Sequence, residues 1–116
     1  MPNLGMEGPF DFTSQQIDHF ITKTSPGNYA LGYTLDDRTF IVQYVGRSDT
    51  DLNGELKRRL DPGYKKFMYS YAKSPVAAYQ KECHNYHDFG ENVKLRNENH
   101  PDRPDGTLLV CPVCGQ

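Results

Sequence analysis

The sequence predicts a small α+β domain in which a mainly antiparallel sheet of three strands is flanked by helices. The chain of 116 residues has the size of one compact domain. Two neighbouring segments have the residue types of strands, and segments with helical spacing precede and follow them. No apolar run approaches the roughly 20 residues that span a bilayer, and the first residues do not have the pattern of a secretion signal. We therefore expect a soluble, cytoplasmic protein with no membrane partner.

The beginning of the chain is rich in Gly and Pro, and this composition predicts a flexible leader over residues 1–12. A short amphipathic helix is expected to begin near Ser14, because Ile17 and Ile21 lie on one helical face. Residues 13–116 are expected to form a single domain, because the chain leaves no room for a second core.

The two strand-like segments predict a β-hairpin. Tyr29, Leu31 and Tyr33 alternate with small residues, which is the period of a half-buried strand. Residues 40–45 are rich in β-branched and aromatic types, which also favour strands. The short polar turn at residues 36–37 joins the two segments, so we expect them to pair with each other.

The second half of the chain predicts a helix, a strand and another helix. Leucines recur at every fourth residue over residues 51–60, with basic residues between them, which indicates a helix. Residues 67–71 resemble a third strand. Ser74 offers an N-cap hydroxyl before a proline that suits the first helical turn, so a helix is expected to continue to about residue 89. The polar residues that follow predict a loop.

Charge is distributed unevenly along the chain. The net charge of −2 excludes a uniformly basic protein that coats nucleic acid. Residues 38–66, however, hold seven Lys and Arg against four Asp and Glu, a net charge of +3. Any phosphate-binding surface is therefore expected in this central segment.

The cysteines predict a structural zinc site. Three cysteines are an odd number, which suits a metal site better than a set of disulfides. Cys111 and Cys114 have the spacing of half a zinc site. Cys83 and His87 lie four residues apart on one face of the predicted helix and provide the other half. This Cys₃His set would hold the C-terminal segment 100–116 against the helix.

Other interpretations of this cluster stay open. His84 and His100 are the competing imidazoles, although His84 points about a quarter-turn away from Cys83 on the helix. The cysteines could also be buried thiols or form a disulfide. Four protein ligands would leave no open coordination position, so a bound zinc ion would be structural.

Two short motifs bracket the predicted hairpin. Residues 27–29 read Gly-Asn-Tyr and residues 44–46 read Tyr-Val-Gly, followed by Arg47, a basic helix and then Glu82 on a later helix. In this order the chain resembles the GIY-YIG endonuclease superfamily over about residues 26–100, most closely its small members with a terminal Cys-x-x-Cys. Asn28 departs from the usual apolar residue of the first motif.

The resemblance implies a divalent-metal-dependent endonuclease that hydrolyses phosphodiester bonds in DNA. Tyr29 and Tyr44 would position or deprotonate the attacking water. Arg47 and Arg58 would stabilise the phosphate charge, and Glu82 would hold a catalytic Mg²⁺ or Mn²⁺ ion.

Three further residues have possible roles by the same resemblance. Strict spacing from the second motif would place the helix arginine near Gly54 or Glu55, whereas the basic residues lie about one turn later. Arg59 is therefore the alternative to Arg58. Tyr64 is the nearest candidate for the family's His or Tyr after the helix arginine, and Asn97 for its distal asparagine.

A second hypothesis is a non-catalytic, zinc-stabilised module that binds nucleic acid or protein and keeps the nuclease fold. Taken singly, the two motif tyrosines could be half-buried strand residues, the helix arginines a solvated face and Glu82 a surface carboxylate. The chain has no room for a separate DNA-recognition domain. Structure-dependent or weakly selective cleavage, or targeting by a protein partner, is therefore expected.

Overall fold

The computed structural model describes residues 4–115 and shows an antiparallel sheet covered by helices. The sheet has the strand order β1-β4-β2-β3. This confirms the α+β class, but the predicted number of three strands is wrong, because the sheet has four. The elements in chain order are β1 (Glu7–Asp11), α1 (Ser14–Phe20), β2 (Gly27–Thr34), β3 (Phe40–Ser48), α2 (Leu52–Arg58), β4 (Lys66–Tyr71), α3 (Pro75–Asp88) and α4 (Glu91–Lys94).

The additional strand, β1, corrects the flexible leader predicted over residues 1–12. β1 pairs with β4, with Phe10 opposite Phe67. The Phe10 ring also stacks on Phe20 of α1 at a centroid distance of 3.7 Å. Burial of these aromatic rings stabilises the strand despite the Gly- and Pro-rich composition of the segment. Residues 1–3 of the predicted leader lie outside the described residues.

The two motifs lie directly opposite each other in the β2–β3 hairpin. Tyr29 pairs with Gly46, and Leu31 pairs with Tyr44. The Tyr29 ring lies over Gly46 so closely that a Cβ atom at residue 46 would be 2.4 Å from the tyrosine oxygen. The glycine of the second motif is therefore required by packing against the tyrosine of the first.

Gly46→Ala is expected to lower the free energy of unfolding by about 1–3 kcal/mol, because the added methyl group overpacks the hairpin. Urea denaturation measures this loss. In a Tyr29→Leu background the same substitution should cost less, because the smaller side chain leaves space. Equal losses in both backgrounds would contradict the packing explanation.

Helices cover both faces of the sheet. On one face Ile17 of α1 and Leu56 of α2 pack in a core cluster that includes Tyr29 and Phe67. On the other face Val45 packs in a cluster that includes Tyr86 of α3. Side chains alternate along β3, so Tyr44 faces α2 whereas Arg47 faces α3. Because β3 is an edge strand, residues from both faces can meet beside it.

The segment after α3 follows the free edge of β3. The sequence predicts a loop here, but the segment begins with the short helix α4. The Arg96 backbone N–H then donates to the Gln43 carbonyl at 2.6 Å. The Asn97 side chain accepts from the Val45 N–H at 3.0 Å and donates to the Val45 carbonyl at 2.8 Å. Asn97 thereby takes the place that a neighbouring strand would have, and fixes this segment against the sheet.

Within residues 4–115, no helix combines the length and the apolar character needed to cross a membrane.

Candidate functional site

A cleft of about 660 Å³ opens along the edge of β3. Its walls come from β3, α2, α3 and the segment over residues 96–102. The cleft brings together predicted site residues from separate parts of the chain: Tyr44, Arg47, Arg58, Arg59, Glu82 and Asn97. Tyr29 and Tyr64 are not among its lining residues.

Tyr29 lies behind the cleft wall and is fully buried. Its hydroxyl donates a hydrogen bond to Glu55 Oε2 at 2.9 Å. Burial, together with the negative charge of Glu55, raises the pKa of Tyr29 well above its usual range. The phenol therefore stays protonated. The geometry suits a residue that orients Glu55 better than one that deprotonates water.

Glu55 also lines the cleft, although no sequence motif pointed to it. Its carboxylate accepts from Arg58 Nη2 at 2.9 Å and from Arg59 Nε at 3.2 Å. The sequence signal was present in the spacing of three and four residues between this acid and the two arginines. Because one carboxylate serves two guanidinium groups, this wall of the cleft keeps an excess of positive charge.

Arg47 and Glu82 form a mostly buried ion pair at the opposite wall. Arg47 Nη1 lies 2.6 Å from Glu82 Oε1, and each side chain is only 11% exposed. Arg47 Nε also donates to Asp49 at 2.7 Å. Burial raises the pKa of Glu82 to about 7, an effect larger than the opposing attraction of Arg47. Among the described residues, hydrogen bonds reach only Oε1 of Glu82, which leaves Oε2 for another partner.

A second cluster lies next to the cleft. Four side chains place their ligand atoms within 4.8 Å of one another: His87, His100, Cys111 and Cys114. His100 also lines the cleft, so the two sites share a residue.

The distances within this cluster fit a tetrahedral metal site. The two Nε2 atoms of His87 and His100 are 3.3 Å apart. Cys111 Sγ lies 3.4 Å from His87 Nε2, and Cys114 Sγ lies 3.4 Å from His100 Nε2. Zinc bonds of about 2.0–2.1 Å to nitrogen and about 2.3 Å to sulfur imply tetrahedral edges of roughly 3.4 Å and 3.6 Å. The cluster could therefore hold a metal ion such as zinc.

The membership of the cluster differs from the Cys₃His set that the sequence predicts. Cys83 lies outside the group and packs as a buried residue against Cys111 and Tyr79. His100 takes its place, because the anchored segment beside β3 carries this imidazole to His87. The structure thus gives a Cys₂His₂ set, with His87, Cys111 and Cys114 as predicted.

Hydrogen-bonding groups around the cluster favour the tautomers and the ionisation state in which its side chains can bind a metal. His87 Nδ1 lies 2.6 Å from Glu91 Oε2, and His100 Nδ1 lies 2.9 Å from the Pro101 carbonyl. Each acceptor favours the tautomer that leaves the lone pair of Nε2 toward the cluster. Burial opposes ionisation of Cys111, but backbone N–H groups of Cys114 and Val113 lower the pKa of its thiol. The thiolate form that binds metals is thereby favoured.

The backbone after α3 explains how Glu91 reaches this position. Gly90 and Glu91 both have positive φ angles, of 105° and 58°. This conformation is uncommon for a glutamate, and it turns the chain so that the carboxylate meets the imidazole one turn earlier. The sequence signal for this contact is the spacing of four residues between His87 and Glu91, with a glycine between them.

Comparisons with known proteins do not place this chain in a family. No family model matches it, and neither the curated proteins nor the solved structures contain a significant match. The functional argument therefore depends on the geometry of the cleft and of the Cys₂His₂ cluster.

Proposed function

We propose that the chain is a divalent-metal-dependent endonuclease that cleaves phosphodiester bonds in DNA, with an active site of the GIY-YIG type. The observation that carries this proposal is that one cleft brings together five side chains: Tyr44, Arg47, Arg58, Arg59 and Glu82. These residue types are what phosphodiester hydrolysis needs: a group that positions water, cations for the phosphate oxygens, and a carboxylate for a metal ion.

Each wall of the cleft has its own part in this proposal. Arg58 and Arg59 share a single carboxylate, so they can bind the phosphate oxygens as negative charge develops. Arg47 stabilises the same charge from the opposite side. Tyr44 is half-buried at the cleft and would position the attacking water, whereas Tyr29 acts indirectly by orienting Glu55.

Glu82 is the residue that would hold the catalytic cation. Its free oxygen suits Mg²⁺ or Mn²⁺, which prefer oxygen ligands and bind through one or two carboxylates. A bound cation would stabilise charge on the phosphate and on the leaving oxygen.

The Cys₂His₂ cluster is proposed to bind a structural zinc ion. Four protein ligands complete a tetrahedral shell and leave no position for a substrate. The ion would tie the C-terminal Cys-x-x-Cys to α3 and to the cleft wall.

The proposal is tested by incubating the protein with plasmid, nicked and branched DNA in the presence of Mg²⁺ or Mn²⁺. The wild type should cut at least one substrate, and Glu82→Gln should slow cleavage by about 100-fold or more. Asp36→Asn is the matched control, because Asp36 is exposed in the hairpin turn and should leave the rate unchanged. A wild type that binds DNA but leaves every substrate intact with both ions would overturn the proposal.

That negative result is the one expected of a non-catalytic binding module. Two observations favour this second candidate: Glu82 is paired with Arg47, and the Tyr29 hydroxyl donates a hydrogen bond to Glu55. Binding by such a module would still weaken with added salt, because Arg and Lys contacts to phosphates release counterions.

A further inference from the structure

Four side chains form a row with an arginine at each end and two tyrosine rings between them. Three of them line the cleft, whereas Tyr64 lies beside Tyr44, outside the cleft lining. The Arg59 guanidinium lies 5.4 Å from the centre of the Tyr44 ring. The Tyr44 and Tyr64 rings are 6.3 Å apart, and the Arg96 guanidinium lies 5.0 Å from the centre of the Tyr64 ring. We call these four residues the stacking row. They come from the end of α2, from β3, from the turn before β4 and from the segment after α4, so the fold assembles them from four places.

The stacking row has cationic ends and partly accessible aromatic rings. Arg59 and Arg96 are exposed, whereas Tyr44 and Tyr64 are half-buried. Arg96 forms no ion pair with any residue that the structure describes, and its backbone is fixed to β3 at Gln43. The Tyr44 ring also stacks on Tyr29 at a centroid distance of 6.2 Å, so part of its surface is covered. The row therefore offers positive charge for phosphates, with the Tyr64 ring and the two guanidinium planes as surfaces for bases.

We propose that the cleft binds an unpaired DNA strand, with bases stacked on the stacking row and the phosphates held by its arginines. The inference rests on the proposed function in placing a DNA strand in this cleft, and it adds the class of substrate. Aromatic rings and guanidinium planes are the surfaces on which proteins stack unpaired bases, without selecting a sequence.

Base stacking favours a single strand over a duplex as the occupant of the cleft. In a duplex each base face is covered by its neighbours, so no face is free to meet Tyr44 or Tyr64. Unpaired ends, flaps or single-stranded gaps expose those faces.

Fluorescence anisotropy with three labelled probes tests the inference. The probes are a short single strand, the same strand in a duplex, and an abasic strand of equal length, in buffer without added divalent cation or chelator. The single strand should bind about tenfold more tightly than either other probe, because the abasic strand keeps the charge but has no bases to stack. Equal affinity for the single and abasic strands, or tighter binding of the duplex, would overturn the inference.

Two variants at residue 64 refine the test. Tyr64→Leu removes the ring and should bring the affinities for the single and abasic strands to within about twofold of each other. Tyr64→Phe retains the ring and should keep the wild-type preference. A preference that survives in Tyr64→Leu would show that the stacking row does not bind the bases.

The inference and the proposed function can fail separately. Cleavage is measured in Mg²⁺ on single-stranded and flapped DNA, whereas the binding assay contains no added divalent cation. A preference for the single strand without any cleavage contradicts the nuclease and supports the stacking row. Cleavage without such a preference supports the nuclease and contradicts the stacking row.

Discussion

Cys111→Ser is expected to abolish the proposed zinc binding and to lower the free energy of unfolding by about 4 kcal/mol, since loss of a structural metal is among the most destabilising single changes. Cys111 is buried and belongs to the Cys₂His₂ cluster. Zinc content is measured on protein purified without chelator, and stability is measured by urea denaturation.

Cys83→Ser is the matched control for this experiment. Cys83 is equally buried and packs against Cys111, but it lies outside the cluster. It should therefore keep a full equivalent of zinc, even if the buried hydroxyl lowers stability. Zinc loss in Cys83→Ser equal to that in Cys111→Ser would reinstate the Cys₃His set. Wild-type protein without zinc would remove the site altogether.

Well above pH 7, where the Glu82 carboxyl is ionised, Arg47→Met is expected to lower the free energy of unfolding by about 3 kcal/mol, because it leaves the mostly buried carboxylate without its partner. The loss should be smaller near neutral pH, where Glu82 can take up a proton. Denaturation measured beside Arg103→Met gives the control. Arg103 is exposed, so its substitution should change stability by no more than about 0.5 kcal/mol.

A double variant separates the loss of charge pairing from the loss of packing. In Arg47→Met/Glu82→Gln no ionised carboxylate is left unpaired, so most of the lost stability should return. A double variant as unstable as Arg47→Met alone would assign the loss to the packing of Arg47 over the Tyr79 ring, which lies 5.2 Å from the guanidinium.

The fold could be predicted from sequence where local signals were strong. Ser74 before a proline marked the start of α3, and its hydroxyl accepts from the Ala77 N–H. The alternation of Tyr29, Leu31 and Tyr33 marked β2. β1 was missed because its stability depends on pairing with β4, more than fifty residues later in the chain. Local composition carries no information on such a partner.

The candidate site shows the same contrast between local sequence signals and contacts of distant residues. Helical spacing correctly placed Cys83 and His87 on α3, yet it favoured Cys83 as a ligand because both residues are local to one helix. His100 joins His87 only through the path of the chain beside β3. The motif spacing predicts an arginine near the position of Glu55. Because Glu55 is acidic, the sequence did not indicate that it lines the cleft.

The stretch from Arg96 to Asp102 forms one wall of the cleft without regular secondary structure. Asn97 fastens it to β3, and His100 fastens it to the Cys₂His₂ cluster. One short segment of chain is therefore part of both sites. If the cleft binds DNA and the cluster binds zinc, as proposed, the two binding free energies are coupled reciprocally. Chelation that frees His100 should loosen the wall and weaken DNA binding. DNA that holds the wall in place should, by the same amount, make the metal harder to extract.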